Sequence, residues 1–222
     1  VRKWPKNPVD KIAELLTPSK KAKSTQRIRA ASIPGALVVD MGAGEGGLAK
    51  MLAAHGFHTL SYDLVDTPDG WVRGLDAAAL HALPLPGIYT PLGIVWDRDT
   101  DSITAASTVD VVVFCLSLMG TNWVDMICEA WRVLKPNGEM VIAEVTSRLG
   151  PTGDTRAFTE LLRALGFHVD WVDATNTHFV LLTCTKTVEA RQADTSQPGP
   201  TLCPTASPSE LRRAVTNAAQ AN

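Results

Sequence analysis

The chain has 222 residues, 45% of them hydrophobic and 20% charged, with a formal net charge of −2. This is the composition of one globular domain with material to spare, and it excludes a collagen, a disordered chain and a disulfide scaffold. The longest apolar run, Val111 to Gly120, is far short of the roughly 20 residues that span a bilayer. Cys115, Cys128, Cys184 and Cys203 form no CxxC pair, so they read as reduced thiols of cytosol or nucleus, and no metal site is expected. The chain opens at Val1, and no apolar signal core follows Arg2, Lys3 and Trp4, which points to an excised fragment.

Charge is uneven along the chain. Through Ala30, nine basic residues face only Asp10 and Glu14, whereas from Asp40 to Asp110 ten acids face only Lys50, Arg73 and Arg98. A polyanion would meet the first stretch more readily than the second; a solvated basic surface without a partner is the plain alternative.

In chain order, the spacing predicts a helix over Val9–Leu16, a buried strand over Leu37–Met41 and a helix from Leu48 to about His55. Strands follow over Thr59–Asp63 and Trp71–Arg73. Val109–Leu116 reads as a β-branched strand, and Trp123–Leu134 as a helix closed by the stop signal Lys135-Pro136-Asn137-Gly138. A strand over Met140–Val145, a helix over Thr155–Leu165 ending at Gly166, and strands over Phe167–Val172 and Phe179–Cys184 complete the series. Such alternation predicts an α/β fold with a mostly parallel sheet covered on both faces. The division expected is a basic N-terminal helical segment over 1–36, a main domain over 37–188, and a loose Ser/Thr/Pro-rich tail over 189–222 with a short helix at Ser209–Ala219. Leu83–Thr108 reads as a surface insertion, centred on about 85–108. Its Asp97-Arg98-Asp99-Thr100-Asp101 run lacks the glycine and distal glutamate of a calcium loop, so a solvated loop is expected.

The strongest local signal is Asp40-Met41-Gly42-Ala43-Gly44-Glu45-Gly46-Gly47, where the first buried strand turns into a helix. Gly42, Gly44 and Gly47 satisfy GxGxxG, and Asp63 ends the second strand, where a carboxylate can accept from both hydroxyls of a ribose. An adenosine-type cofactor fits this arrangement; a tight turn with a solvated Asp63 is the alternative. Charge separates the cofactors. A dinucleotide would bring a pyrophosphate to a loop holding Asp40 and Glu45 with no Lys or Arg, whereas S-adenosylmethionine brings an ammonium and a sulfonium that carboxylates attract. The methyl donor is therefore the expected cofactor. Asp76 suits an acceptor for the adenine amino group, or equally a helix cap.

Several further blocks occur in order: Trp4-Pro5-Lys6-Asn7-Pro8-Val9-Asp10, the glycine loop, Cys115-Leu116-Ser117-Leu118-Met119-Gly120-Thr121-Asn122, Arg132-Val133-Leu134-Lys135-Pro136-Asn137-Gly138, Glu144-Val145-Thr146-Ser147-Arg148 and Thr175-Asn176-Thr177-His178-Phe179. From about Trp4 to Lys186 the chain resembles the ribosomal RNA-processing protein 8 family, also called nucleomethylin. The resemblance implies a Rossmann-like class I methyltransferase fold with a seven-stranded sheet. It implies S-adenosyl-L-methionine as cofactor, large-subunit ribosomal RNA as partner, 1-methyladenosine as product, and a place in the nucleus and nucleolus. Carried over by position, cofactor contacts fall on Gly42, Asp63, Asp76, Ala77 and Cys115, and the glycine loop adds Gly44. A further cofactor-contacting histidine of the family would precede Val1. The loop reads Gly-Ala-Gly-Glu where relatives often carry Gly-Cys-Gly-Asp, and the insertion near 85–108 is longer than the family's connection there.

No Asn-Pro-Pro-Tyr type loop follows the strand ending near Leu116. Asn122, Glu144 and Arg148 are the candidates for groups facing the substrate base, and no general base is assigned. The alternatives are a structural ion pair for Glu144 with Arg148 and plain packing for Leu118 and Met119. Lys20, Lys21, Lys23, Arg27 and Arg29 are candidates for RNA docking. His178 is read either at the substrate mouth or hydrogen-bonded at the sheet edge. A non-catalytic, cofactor-sensing scaffold in ribosomal DNA silencing, with chromatin-silencing proteins as partners, is the rival reading. A dehydrogenase is the third, but no residues remain for a substrate domain.

Overall fold

Val38, Val39, Val111, Val112 and Val113 are fully buried, which is why their segments read as continuous apolar runs rather than alternating ones. The computed structural model describes residues 4, 6–17, 28–79, 82–85, 87–90, 93–96, 108–149 and 154–187. In chain order these form α1 (Pro8–Leu16), β1 (Leu37–Met41), α2 (Gly47–Ala53), β2 (His58–Asp63), β3 (Arg73–Gly74), β4 (Gly87–Thr90), β5 (Gly93–Trp96) and β6 (Val109–Cys115). There follow α3 (Trp123–Val133), β7 (Leu134–Val145), α4 (Arg156–Ala164), β8 (Phe167–Asp173) and β9 (Phe179–Lys186).

The seven-stranded sheet runs β3-β2-β1-β6-β7-β9-β8. Every pairing is parallel except those of β9, which is antiparallel to both β7 and β8. The α/β fold with a mostly parallel seven-stranded sheet is thus as expected. An antiparallel strand between β7 and β8 departs from the 3-2-1-4-5-6 parallel order of dinucleotide-binding domains. Strand order reverses between β1 and β6, and this switch point opens a crevice at the carboxyl ends of those two strands.

Two apolar layers cover the sheet. On one face Val39, Met41, Phe114 and Ile142 pack with α3 and α4 through Ile127 and Leu162. On the other, Val38, Val113 and Ala143 pack with α1 and α2 through Ile12, Leu16 and Leu48. The N-terminal helix is therefore part of the core. Its start is set by Asn7, whose side chain accepts from the Val9 N–H at 3.1 Å, with Pro8 in the first turn.

Three readings need correction. Trp71 and Val72 lie in a turn closed by the Thr67 N–H to Val72 carbonyl bond at 3.1 Å, so the short third strand is Arg73–Gly74, paired with Tyr62 and Asp63. The stretch from Leu83 is not wholly a surface insertion. Leu83 and Leu85 are buried, and the buried Glu129–Arg132 pair of α3 holds their backbone. The hairpin β4–β5 follows it. Finally, Lys135-Pro136-Asn137-Gly138 ends the helix but is also the bulged entry of β7: Leu134 pairs with Val109 and Glu139 with Val111. Asn137 takes φ 60° to make the bend. The expected Ser209–Ala219 helix, the 97–101 acidic run and Lys20, Lys21, Lys23 and Arg27 lie outside the described residues.

Candidate active site

The end of β1 delivers Asp40 and Met41 to the glycine turn. Gly42, Gly44 and Gly46 have φ of 77°, 58° and 71°, a region that side-chain-bearing residues rarely adopt. At Gly42 space is as decisive as φ, because a Cβ there would overlap the Cβ of Ser117 in the turn after β6. The Gly42 and Ala43 N–H groups both donate to the Tyr62 carbonyl, at 2.8 and 3.0 Å, which ties the turn to the end of β2. Nothing lies within 4 Å of a Cβ built at Gly44 or Gly47. The GxGxxG pattern therefore assigns its third glycine one position late: Gly46 caps α2 in the left-handed conformation, and a Cβ on it would sit 3.0 Å from the Trp71 Cβ.

Asp63 is oriented by backbone: its Oδ2 accepts from the Gly44 N–H at 2.8 Å and its Oδ1 from the Leu64 N–H at 2.7 Å. Asp40, on the neighbouring strand, is 2% exposed, and its Oδ1 has no hydrogen-bond partner. Burial, and then the Asp63 carboxylate, push the Asp40 carboxyl up to about 7. Cys115, at the end of β6, is partly buried, and burial together with the Asp40 and Glu144 carboxylates pushes its thiol up to about 12. It is a neutral thiol, not a nucleophile, at physiological pH. Lys50, the nearest basic residue in sequence to the turn, donates to the Glu45 carbonyl at 2.9 Å and pairs with Asp69 at 2.7 Å.

Asp76 stands after β3 with its Oδ1 accepting from the Ala78 N–H at 2.9 Å. This is a bond across two residues within a turn, with no helix directly following it among the described residues, and Asp76 remains exposed. Ala77 beside it is buried in the core with Met41 and Tyr62.

The second wall of the crevice is the turn after β6. Leu116 holds φ 57°, an uncommon conformation for a leucine, and its N–H donates to the Ala143 carbonyl at 2.8 Å. Glu144, 2% exposed, accepts from the Leu118 N–H at 3.1 Å and from the Val145 N–H at 2.8 Å. Arg148 donates to the Leu118 carbonyl at 3.2 Å. The two residues thus brace one turn from its two backbone groups, and no ion pair joins them among the described residues. Leu118 is buried, as plain packing requires, whereas Met119 is 58% exposed at the mouth. Asn122 begins α3 without capping it through its side chain. His178 Nδ1 lies 3.0 Å from Thr177 Oγ1, and its ring lies against Trp4.

Sequence reasoning brings Gly42, Gly44, Asp63 and Cys115 to one crevice, with Asp76 and Ala77 after β3 beyond β2 and Glu144, Arg148 and Asn122 on its far side. The stretch from Ser117 to Asn122 is expected to face the base, but the closeness of Ser117 to Gly42, which joins two distant segments, leaves no local pattern, and Gly46 is missed. Arg29, a candidate for RNA docking, stands away from this crevice. It bonds Thr185 Oγ1 at 2.8 Å and pairs with Glu139 at 3.5 Å, at the opposite end of β7 from Glu144.

A family model described as a hypothetical methyltransferase matches residues 96–206, half of the chain. The chain belongs to that methyltransferase family. A second model, described as a methyltransferase domain, matches residues 39–142, which span the glycine turn and β6. Ribosomal RNA-processing protein 8 of Rattus norvegicus is 38% identical over 197 residues, covering 89% of this chain and 34% of that protein. The 25S rRNA (adenine(645)-N(1))-methyltransferase of Schizosaccharomyces pombe is 31% identical over 185 residues, covering 82% of this chain and 48% of that one. The resemblance read from the motif blocks is therefore borne out, and the chain spans between a third and a half of these curated relatives. The fold is also that of the Burkholderia thailandensis 1,6-didemethyltoxoflavin-N1-methyltransferase, solved with S-adenosylhomocysteine. The TM-score is 0.51 at 18% identity, over 69% of this chain and 72% of that one.

Proposed function

We propose that this methyltransferase domain uses S-adenosyl-L-methionine to methylate N1 of an adenine in large-subunit ribosomal RNA. The observation that carries the cofactor half is the buried, unpartnered Oδ1 of Asp40 behind a glycine turn whose nearest lysine in sequence, Lys50, is already paired. An acid-lined crevice favours a cationic ligand and disfavours a pyrophosphate. The open space at Gly44 and the Asp63 carboxylate fit an adenosine. Gly42, Gly44, Asp63, Asp76, Ala77 and Cys115 would hold the group, with Asp63 accepting from the ribose and Asp76 from the adenine. When bound, it supplies a methyl carbon already activated on a sulfonium.

The chain's own residues then have to bring an adenine N1 in line and exclude water. N1 is a neutral lone pair on the Watson–Crick edge, so the base must arrive unpaired or flipped. Glu144 fixes the turn 116–122 through the Leu118 N–H, and Arg148 fixes it through the Leu118 carbonyl. Asn122 and the exposed Met119 stand at the mouth of that turn. Methylation leaves positive charge on the ring, and the Glu144 carboxylate beneath the turn stabilises it through space. No residue has to remove a proton. The RNA half of the reading is supported by the names and identity of the relatives, and it carries with it a nucleolar site of action.

The test is methyl transfer from labelled S-adenosylmethionine to large-subunit rRNA, with nucleoside mass spectrometry of the product. 1-Methyladenosine is the result expected. Binding of S-adenosylhomocysteine without transfer to any RNA would favour the cofactor-sensing scaffold, and retention of NADH in its place would overturn the reading altogether.

A further inference from the structure

Outside the cofactor crevice, two motifs that lie some 170 residues apart in the chain come into contact. The Trp4 ring lies 5.1 Å from that of His178, tilted by 41°, and is stacked on Phe179 at 6.1 Å and 14°. Phe179 is buried, while Trp4 and His178 are each partly exposed, so a covered inner ring supports Trp4, which in turn lies against His178. The backbone here is held firmly: Asn176 Oδ1 accepts from the His178 N–H at 2.8 Å and the Phe179 N–H at 3.4 Å, and Thr177 Oγ1 bonds the imidazole.

The position of these rings matters as much as their contacts. The His178 carbonyl accepts from the Thr146 N–H at 3.0 Å, which sets it against the turn that carries Arg148. Phe179 pairs with Val145, one residue past Glu144. Two strand spacings of about 4.8 Å separate β9 from β6, so the rings stand about 10 Å from the crevice wall. Thr146 Oγ1, in the same turn, is buried without a partner. The nearby strand ends carry the carboxylates of Asp40 and Glu144. Both of those carboxylates are buried, and the exposed Arg148 of this turn can meet a phosphate while the uncharged π-face of a base meets the rings.

We propose that Trp4 and His178 form an aromatic shelf that stacks a nucleobase of single-stranded RNA next to the adenine being methylated; this rests on the RNA reading above. Both are positioning residues. They hold the strand and take no part in the bond exchange.

The test is fluorescence anisotropy of the full chain with a labelled single-stranded RNA oligonucleotide in saturating S-adenosylhomocysteine. Trp4→Ala and His178→Ala should each weaken RNA binding about fivefold to tenfold, while S-adenosylhomocysteine affinity by calorimetry stays within twofold. Trp4→Phe, which keeps a ring on Phe179, should return affinity to within about twofold of wild type. At one position of the oligonucleotide, an abasic nucleotide should weaken wild type by the same factor and add nothing to Trp4→Ala, the signature of a direct contact in a double-mutant cycle. Wild-type affinity in both alanine variants, or losses that multiply at every abasic position, would overturn the shelf. Coupling without methyl transfer would defeat the proposed reaction and leave the shelf standing; methyl transfer without coupling does the reverse.

Discussion

At Gly42 a left-handed φ and a neighbour in contact forbid a side chain together, whereas at Gly44 only the φ does. Gly42→Ala should therefore cost about 3 kcal/mol or more in urea unfolding and abolish S-adenosylhomocysteine binding, while Gly44→Ala costs about 1–2 kcal/mol. Asp40 supplies a prediction of a different kind. Its folded pKa of about 7 lies above the ordinary 3.8, so between those values the folded chain holds a proton that the unfolded chain has released. Stability contributed at this site is thus full below pH 4 and declines as pH rises to about 7, by an amount on the order of 4 kcal/mol. Asp40→Asn should remove that decline, which the difference between wild-type and variant melting curves from pH 4 to 8 measures. A cationic cofactor favours the carboxylate, so its binding near pH 7 should release a proton. Calorimetric enthalpies measured in buffers of different ionisation heat check this: no buffer dependence would mean that Asp40 does not face the cation.

The bounds of elements were most legible where burial is complete. β1 is as expected, and β6 ends one residue early, because a strand covered on both faces is nearly continuous in apolar residues, Asp40 and Asp110 being the exceptions here. Legibility failed where distant side chains decide the outcome. No local pattern marks Leu83 and Leu85 as core, since their cover comes from Glu129 and Arg132 some 46 residues on. That pair is itself buried: Arg132 bonds both Glu129 oxygens, at 2.8 and 2.6 Å, and the Leu83 and Leu85 carbonyls at 3.0 and 2.5 Å. Arg132→Ala would leave a carboxylate buried without its partner and two carbonyls unbonded, and should cost about 3–5 kcal/mol. Replacing both residues with Leu and Met should cost less than the single change, as chemical denaturation will show. The same logic explains the candidate site: Gly42, Gly44 and Asp63 belong to a local strand–turn–helix grammar, whereas the fit of Ser117 against Gly42 exists only once β1 and β6 lie side by side.

Across the whole molecule, charge is arranged by the ends of the sheet rather than by position in the chain. The five residue steps from Glu139 to Glu144 traverse roughly 17 Å of strand, which separates the end where Arg29 pairs with Glu139 from the end where Arg148 braces Leu118. Arg29 is tied further to the Asn137 carbonyl at 3.3 Å and to Thr185, so its charge is already engaged and faces away from the crevice. A basic residue counted toward RNA docking from sequence alone thus stands at the far end of the sheet from the crevice. Arg148 stands at the mouth, exposed, with one hydrogen bond among the described residues, to the Leu118 carbonyl, and it is a cation that an RNA strand entering the crevice would meet. Arg29→Ala should therefore leave RNA affinity unchanged and lower stability by less than about 1 kcal/mol, since its side chain is 61% exposed. Arg148→Ala should leave stability nearly untouched and weaken RNA binding uniformly across sequences. It should also reduce the slope of log affinity against log salt by about 1, the mark of one lost phosphate contact. Titrations of both variants at several salt concentrations decide the matter. A changed slope for Arg29→Ala together with an unchanged one for Arg148→Ala would place the RNA at the opposite end of the sheet and separate it from the methyl-transfer site.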